Sequence, residues 1–341
     1  MSSSEAEAEA DLIRQKKEHM KMRNFMKKQR MRERYDAEKA ALQKQVDALG
    51  ASLASLSSPG AAAARALLKQ LRADCRSARE LSQTMASWVA TMCNRSLPMP
   101  GTPFGWTETS LLADPTARKL GLDWFSQHLY HNTERMLACA QMPSVGTFID
   151  SIFLEVGDGF CDIIARLQIE YELPLHEAHA ALRPHMWSKF RGDTAPFFSE
   201  LLDHEMTTAI APDQMIYRRS VLDENESMYC VCREFASEDR VVYLMGNFTQ
   251  DERLPHCSRS RPRLFWYILE RTGQNTSRLR AMLYNAPYQF FGHRQRMREH
   301  LATRMETSGI DDDALFSIYQ DAVRKEIAPA LREGMIALRI E

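Results

Sequence analysis

Ten lysines and arginines lie close together near the start of the chain: Arg14, Lys16, Lys17, Lys21, Arg23, Lys27, Lys28, Arg30, Arg32 and Arg34. Only Glu18 and Glu33 oppose them there, so ten cations less two anions leave +8 on that stretch. The whole chain of 341 residues carries a formal net charge of -1, so the rest is mildly acidic. Clustered ammonium and guanidinium groups neutralise phosphates and release counterions, which suits a polyanionic partner. Asn24 adds a side chain able to pair with base edges, and Arg32 one able to pair with guanine or phosphate.

Other side chains point to less chemistry. His176 and His179 flank Glu177 at i,i+3, without the i,i+4 spacing of a zincin or a clear third ligand. Cys230 and Cys232 share one face of a strand, with His256-Cys257 downstream, and read as buried structural thiols rather than a zinc cluster. Asp311, Asp312 and Asp313 suit a helix N-terminus. Glu238-Asp239-Arg240 reads as a turn with a surface ion pair. There is neither a glycine-rich phosphate loop nor a nucleophile elbow. The expectation is therefore no enzyme, no metal and no cofactor. The seven scattered cysteines are an odd number without framework spacing, which fits a reducing compartment. The acidic start lacks the apolar core of a secretory signal, and no run of about 18 apolar residues offers a membrane span.

The basic cluster must be carried by a helix. Residues 1–10 are expected to be a disordered acidic tail. Residues 11–58 hold no proline and are rich in good helix formers, up to the breaker Ser57-Ser58-Pro59-Gly60. Leu42, Leu49 and Leu56 recur every seven residues, with Val46 and Leu53 between them and Lys39 one step earlier. This repeat winds two helices together, and Val at a with Leu at d favours a parallel dimer. Asn24 precedes Arg32 by a gap of seven residues, and nine more separate Arg32 from Leu42. In these spacings the segment resembles the basic leucine-zipper (bZIP) family. The resemblance implies that Asn24 and Arg32 contact bases or phosphates, with Lys27, Lys28 and Arg30 beside them. It also implies DNA as a partner, a homo- or heterodimer, and a nuclear location, with a cytoplasmic one as the alternative.

Residues 59–103 read as a second helix followed by a Pro-rich linker, and 104–341 as an α+β body. Within the body, 147–173 reads as helices, with a strand reading of 161–173 left open, and 176–182 as a short helix ended by Pro184. Strand patterns follow at 214–222, 227–235, 240–248, 264–271 and 278–284. A terminal helix covers 312–338, striped by Val323, Ile327, Leu331, Met335 and Leu338 and bent at Pro329. A long amphipathic helix laid across a curved antiparallel sheet leaves a hydrophobic slot. Tyr229-Cys-Val-Cys-Arg233-Glu-Phe-Ala-Ser-Glu-Asp239-Arg240-Val-Val-Tyr-Leu244 forms a strand, an acidic turn, Asp-Arg and a second strand. This body resembles the START-type lipid-binding, helix-grip fold. With arm and coil in front, the layout resembles an oomycete family of bZIP/START-like proteins, some named mating-specific proteins. The resemblance implies a hydrophobic ligand. The candidate cavity walls are Val231, Phe235, Val241, Tyr243, Phe265, Tyr267, Met282, Val323, Ile327 and Leu331. Two functions are thus in view: a dimeric DNA-binding transcriptional regulator with a ligand-sensing body, or a hydrophobic-ligand binder that uses its coil only to dimerise or as a scaffold.

Overall fold

A computed structural model describes residues 3–55, 60–95, 109–193, 195–291 and 293–340. The chain divides into two units, Met1–Ser82 and Gln83–Glu341. In the first unit, helix α1 spans Ser3–Ser55 and helix α2, Gly60–Arg95, begins. α1 starts inside the stretch expected to be disordered, because its alternating Glu and Ala are strong helix formers. Lys28, Arg30, Arg32, Lys39, Leu42 and Leu49 stand exposed on α1, and Val46 is partly covered. The side chains of Asn24, Lys27 and Leu53, and Leu56 altogether, lie outside the described residues.

The second unit opens with the last turns of α2. Trp88 is buried there, and its indole N–H donates to the Ser110 carbonyl at 2.7 Å. Met85 and Val89 pack onto the same core, so the body starts before the expected residue 104. Its elements run β1 Ser110–Leu111, α3 Pro115–His131, α4 Thr133–Ala140, β2 Phe148–Glu155, β3 Cys161–Tyr171, α5 Leu175–Arg191, β4 Phe198–Leu202 and α6 His204–Ile210. Then come β5 Met215–Val221, β6 Ser227–Ala236, β7 Arg240–Phe248, β8 Gln250–Asp251, β9 Arg259–Ser260, β10 Arg263–Arg271 and β11 Ser277–Asn285. β12 Gln289–Phe290, β13 His293–Arg294, α7 Met297–Ala302 and α8 Asp312–Ala337 complete it.

Eight strands form one antiparallel sheet in the order β2-β3-β11-β10-β7-β6-β5-β4. The first two strands add to the last, and α5 makes the crossover between β3 and β4. β2 replaces the helix expected after 147, and β3 takes up the strand reading left open over 161–173. β3 is buried on both faces, so its run shows no alternation to separate strand from helix. α5 also passes through Pro184, where a helix end was expected. Pro184 and Ala180 are both exposed, so water can serve the carbonyl that the missing N–H leaves free.

One face of the sheet is covered by α3, α4 and the end of α2. Gly246 lets α3 come close: a Cβ there would lie 2.6 Å from Leu129 and 2.9 Å from Phe125. Arg118 pins the same helix from within. It is buried, donates to both oxygens of Asp251 (2.7 and 2.5 Å) and reaches Asp203 at 2.6 Å. The opposite face carries α5 and parts of α8 and α7.

Candidate functional site

α8 is capped by Asp311, whose carboxylate accepts from the Ala314 N–H at 2.8 Å. Its apolar stripe recurs every four residues through Leu315, Tyr319, Val323, Ile327, Leu331 and Met335. The first three are buried and the next three only partly so, before Leu338 is buried again. Beneath the half-covered turns runs a groove of about 450 Å³, lined by Ile149, Asp150 and Ser151 of β2 and by Arg324, Ile327, Ala328, Leu331 and Arg332 of α8. A second cavity of about 70 Å³ is lined by Cys161, Ile163, Met297, His300, Tyr319, Val323 and Ile327, among others. Ile327 lines both, and so forms a shared wall.

Polar side chains share these walls: Asp150, Ser151, Arg324 and Arg332 line the groove, and Arg261, Gln295, Arg296, His300 and Glu326 the inner cavity. Asp150 is held by Arg166 at 2.5 Å, and Arg324 lies over the Phe153 ring at 5.0 Å. His300 meets Tyr319 edge-on at 5.4 Å, and its buried Nε2 has no hydrogen-bond partner. Burial, with the charges of Arg304 and Arg261 nearby, lowers the His300 pKa. Burial pushes the Cys161 thiol up to about 12, so it stays protonated rather than nucleophilic.

The sheet beside this seam is clamped by α5. Ala178, Leu182, Met186 and Phe190 of α5 face the sheet, all fully buried. A neighbouring stripe converges on the buried Glu234: His179 lies 2.9 Å away, Arg183 donates at 2.9 Å and the Trp187 indole N–H at 2.7 Å. Burial works to raise the Glu234 pKa. The hydrogen bonds from His179 and Trp187 and the charge of Arg183 outweigh it and hold the carboxyl below its usual range.

The expected cavity residues divide between the two faces. Val323 and Ile327 line the inner cavity, and Ile327 and Leu331 the groove. Val241, Tyr243 and Tyr267 share that face in the core with α5, and Phe265 packs at its margin. Val231, Phe235 and Met282 are misplaced: they point to the other face, into the core under α3 and α4, where Phe235 stacks on Tyr130 at 4.3 Å. Strand alternation sends Val231 and Phe235 opposite to Cys230, Cys232 and Glu234. Missed altogether were Tyr319, Cys161, Ile163 and Ile149. Tyr319 lies four residues before Val323, so extending the stripe backwards finds it. Of the other candidates, His176 is exposed, His179 serves Glu234, and Cys230 and Cys232 are buried with raised thiol pKa values.

Strand order decides the class: β2 and β3 join the last strand of the meander, and a long C-terminal helix closes on that side. The body has a START-like helix-grip fold. Among solved structures, the chain is similar to human STARD10 (TM-score 0.32, 8% identity, 60% of this chain and 76% of that chain). It also matches the lipid transfer and protein localization domain of human StarD13 (TM-score 0.28, 14% identity, 57% and 94%). A third is the Thalictrum norcoclaurine synthase point mutant (TM-score 0.25, 9% identity, 52% and 99%). No family model and no curated protein matches the chain.

Proposed function

We propose that the body binds a hydrophobic small molecule between α8 and the sheet. One observation carries this reading: α8 keeps an apolar stripe half-open over a groove of about 450 Å³, with Ile327 shared by the cavity behind it. That volume falls in the range of roughly 300–1,000 Å³ typical of ligand pockets. The inner cavity, at about 70 Å³, has room for only about two water-sized groups of roughly 30 Å³ each, so the ligand's bulk sits in the groove. The role is binding rather than catalysis: Glu234 is fully engaged with α5, and the Cys161 thiol is protonated. Solvent extraction of the purified full-length protein, followed by mass spectrometry, should release an apolar compound. A Leu331→Arg variant should retain much less of it; equal retention would contradict the proposal.

A second reading concerns the first unit. Lys28, Arg30 and Arg32 stand exposed on the same unbroken helix as Leu42 and Leu49. We propose that this helix dimerises through the leucines and presents the cations to DNA in the nucleus. Sedimentation of a Leu42→Lys/Leu49→Lys variant should show a monomer where the parent is a dimer. Duplex binding should fall steeply with salt, with a slope near -0.9 per phosphate neutralised. A monomeric parent, or salt-insensitive binding, would remove this reading and leave the first proposal untouched.

A further inference from the structure

We propose that the β12–β13 hairpin docks the body on an anionic lipid bilayer. β12 pairs antiparallel with both β13 and β9. Phe290 ends β12 and is 38% exposed; Phe291 follows and is 84% exposed. Phe291 has φ 48°, a left-handed conformation that bulky side chains rarely adopt. Its N–H donates to the Ser258 carbonyl at 2.8 Å, which ties this unusual backbone to the neighbouring segment. Two adjacent aromatic side chains are thus held out in water, one of them by a conformation that costs free energy.

The charge around them is complementary to lipid phosphates. Arg261, Arg294 and Arg296 make no ion pair with a carboxylate among the described residues, whereas Arg259 is paired with Glu226 at 3.0 Å. Arg294 and Arg296 instead lie against the Phe160 ring, at 4.6 and 5.6 Å. Two exposed rings on a hairpin that also carries Arg294, with the exposed Arg296 two residues further on, match a bilayer interface, where rings enter below the headgroups and cations meet phosphate. No helix among the described residues is long and apolar enough to span a membrane, so the contact is peripheral. Arg296 also lines the cavity shared with α8, which places the docked hairpin beside the ligand seam. Docking does not require the groove to hold a ligand, so the two proposals can fail separately.

The test is flotation of the full-length protein with vesicles of phosphatidylcholine alone or with about a third phosphatidylserine. The parent should float with the anionic vesicles, less so as salt rises. Phe290→Ser/Phe291→Ser should weaken this at least about tenfold with an unchanged melting temperature. Phe291→Trp should keep it, and Arg294→Gln/Arg296→Gln should weaken it and flatten the salt dependence. Lys28→Gln/Arg30→Gln/Arg32→Gln separates any contribution of the basic helix. No flotation of the parent overturns the proposal. So does a serine variant that floats as well as the parent, or binding lost only in the variant of the basic helix.

Discussion

Tyr243 and Tyr267 stand directly opposite each other on β7 and β10, both buried, and neither hydroxyl has a hydrogen-bond partner. They lie on the sheet face that α5 covers, where His179 and Phe190 approach Tyr243 and Lys189 lies over Tyr267. Burying an unpaired hydroxyl costs about 1–3 kcal/mol. Tyr243→Phe and Tyr267→Phe should therefore stabilise the protein by up to about 1 kcal/mol in urea unfolding. Neither ring lines the groove under α8, so ligand affinity should stay unchanged. A loss of stability in both variants would contradict the unpaired state of the two hydroxyls.

Glu234 should make the body sensitive to acid. Its folded pKa is lowered below the ordinary 4.5, so folding favours the charged form. This stabilisation is fully present above the unfolded pKa and is lost as pH falls through the lowered folded value. Glu234→Gln leaves His179, Arg183 and Trp187 facing a neutral amide. It should cost roughly 2–4 kcal/mol at pH 7 and less as pH falls below about 4. Urea midpoints measured across that range check both the size and the trend.

Asp162 works in the opposite direction. Burial pushes its carboxyl up from 3.8 to about 6, although the Tyr284 hydroxyl donates to Oδ2 at 2.9 Å. Its folded form holds a proton more tightly than the unfolded chain, so its contribution is full below about pH 4 and is lost as pH rises through about 6. Asp162→Asn should therefore raise stability at pH 7–8 by roughly 1–3 kcal/mol and change little at pH 4. A melting temperature unaffected at pH 8 would contradict the assignment.

Gly246→Ala should destabilise the body by roughly 1–3 kcal/mol, since its methyl group would press on Leu129 and Phe125 of α3. Adding Leu129→Ala should recover part of that loss, because the space opens at the contact itself.

Where the pattern was local, the sequence was legible. The hairpin of β6 and β7, the strands β10 and β11, and the capped helix α8 follow from alternation, turn residues and a four-residue stripe. The strand left open over 161–173 is β3, whose cover on both faces hides its alternation, while β2 was missed because its partly covered side chains follow no alternation either. The cavity was half legible for a related reason: the stripe of Val323, Ile327 and Leu331 names its own face. Nothing local in Val231, Phe235 or Met282 says which of two covered faces holds the groove under α8. Ile149 and Cys161 reach the seam only through long-range pairing of β2, β3 and β11, which a single sequence does not display.

The central claim rests on the seam under α8, and Ile327 is its shared wall. The most direct measurement is a titration of full-length protein with a fluorescent fatty-acid probe, comparing the parent with Ile327→Trp. The parent should take up the probe saturably, and Ile327→Trp should bind about tenfold more weakly with a similar melting temperature, because the larger ring fills the groove. No saturable uptake by the parent, or equal affinity in the two proteins, would contradict a ligand site beneath α8.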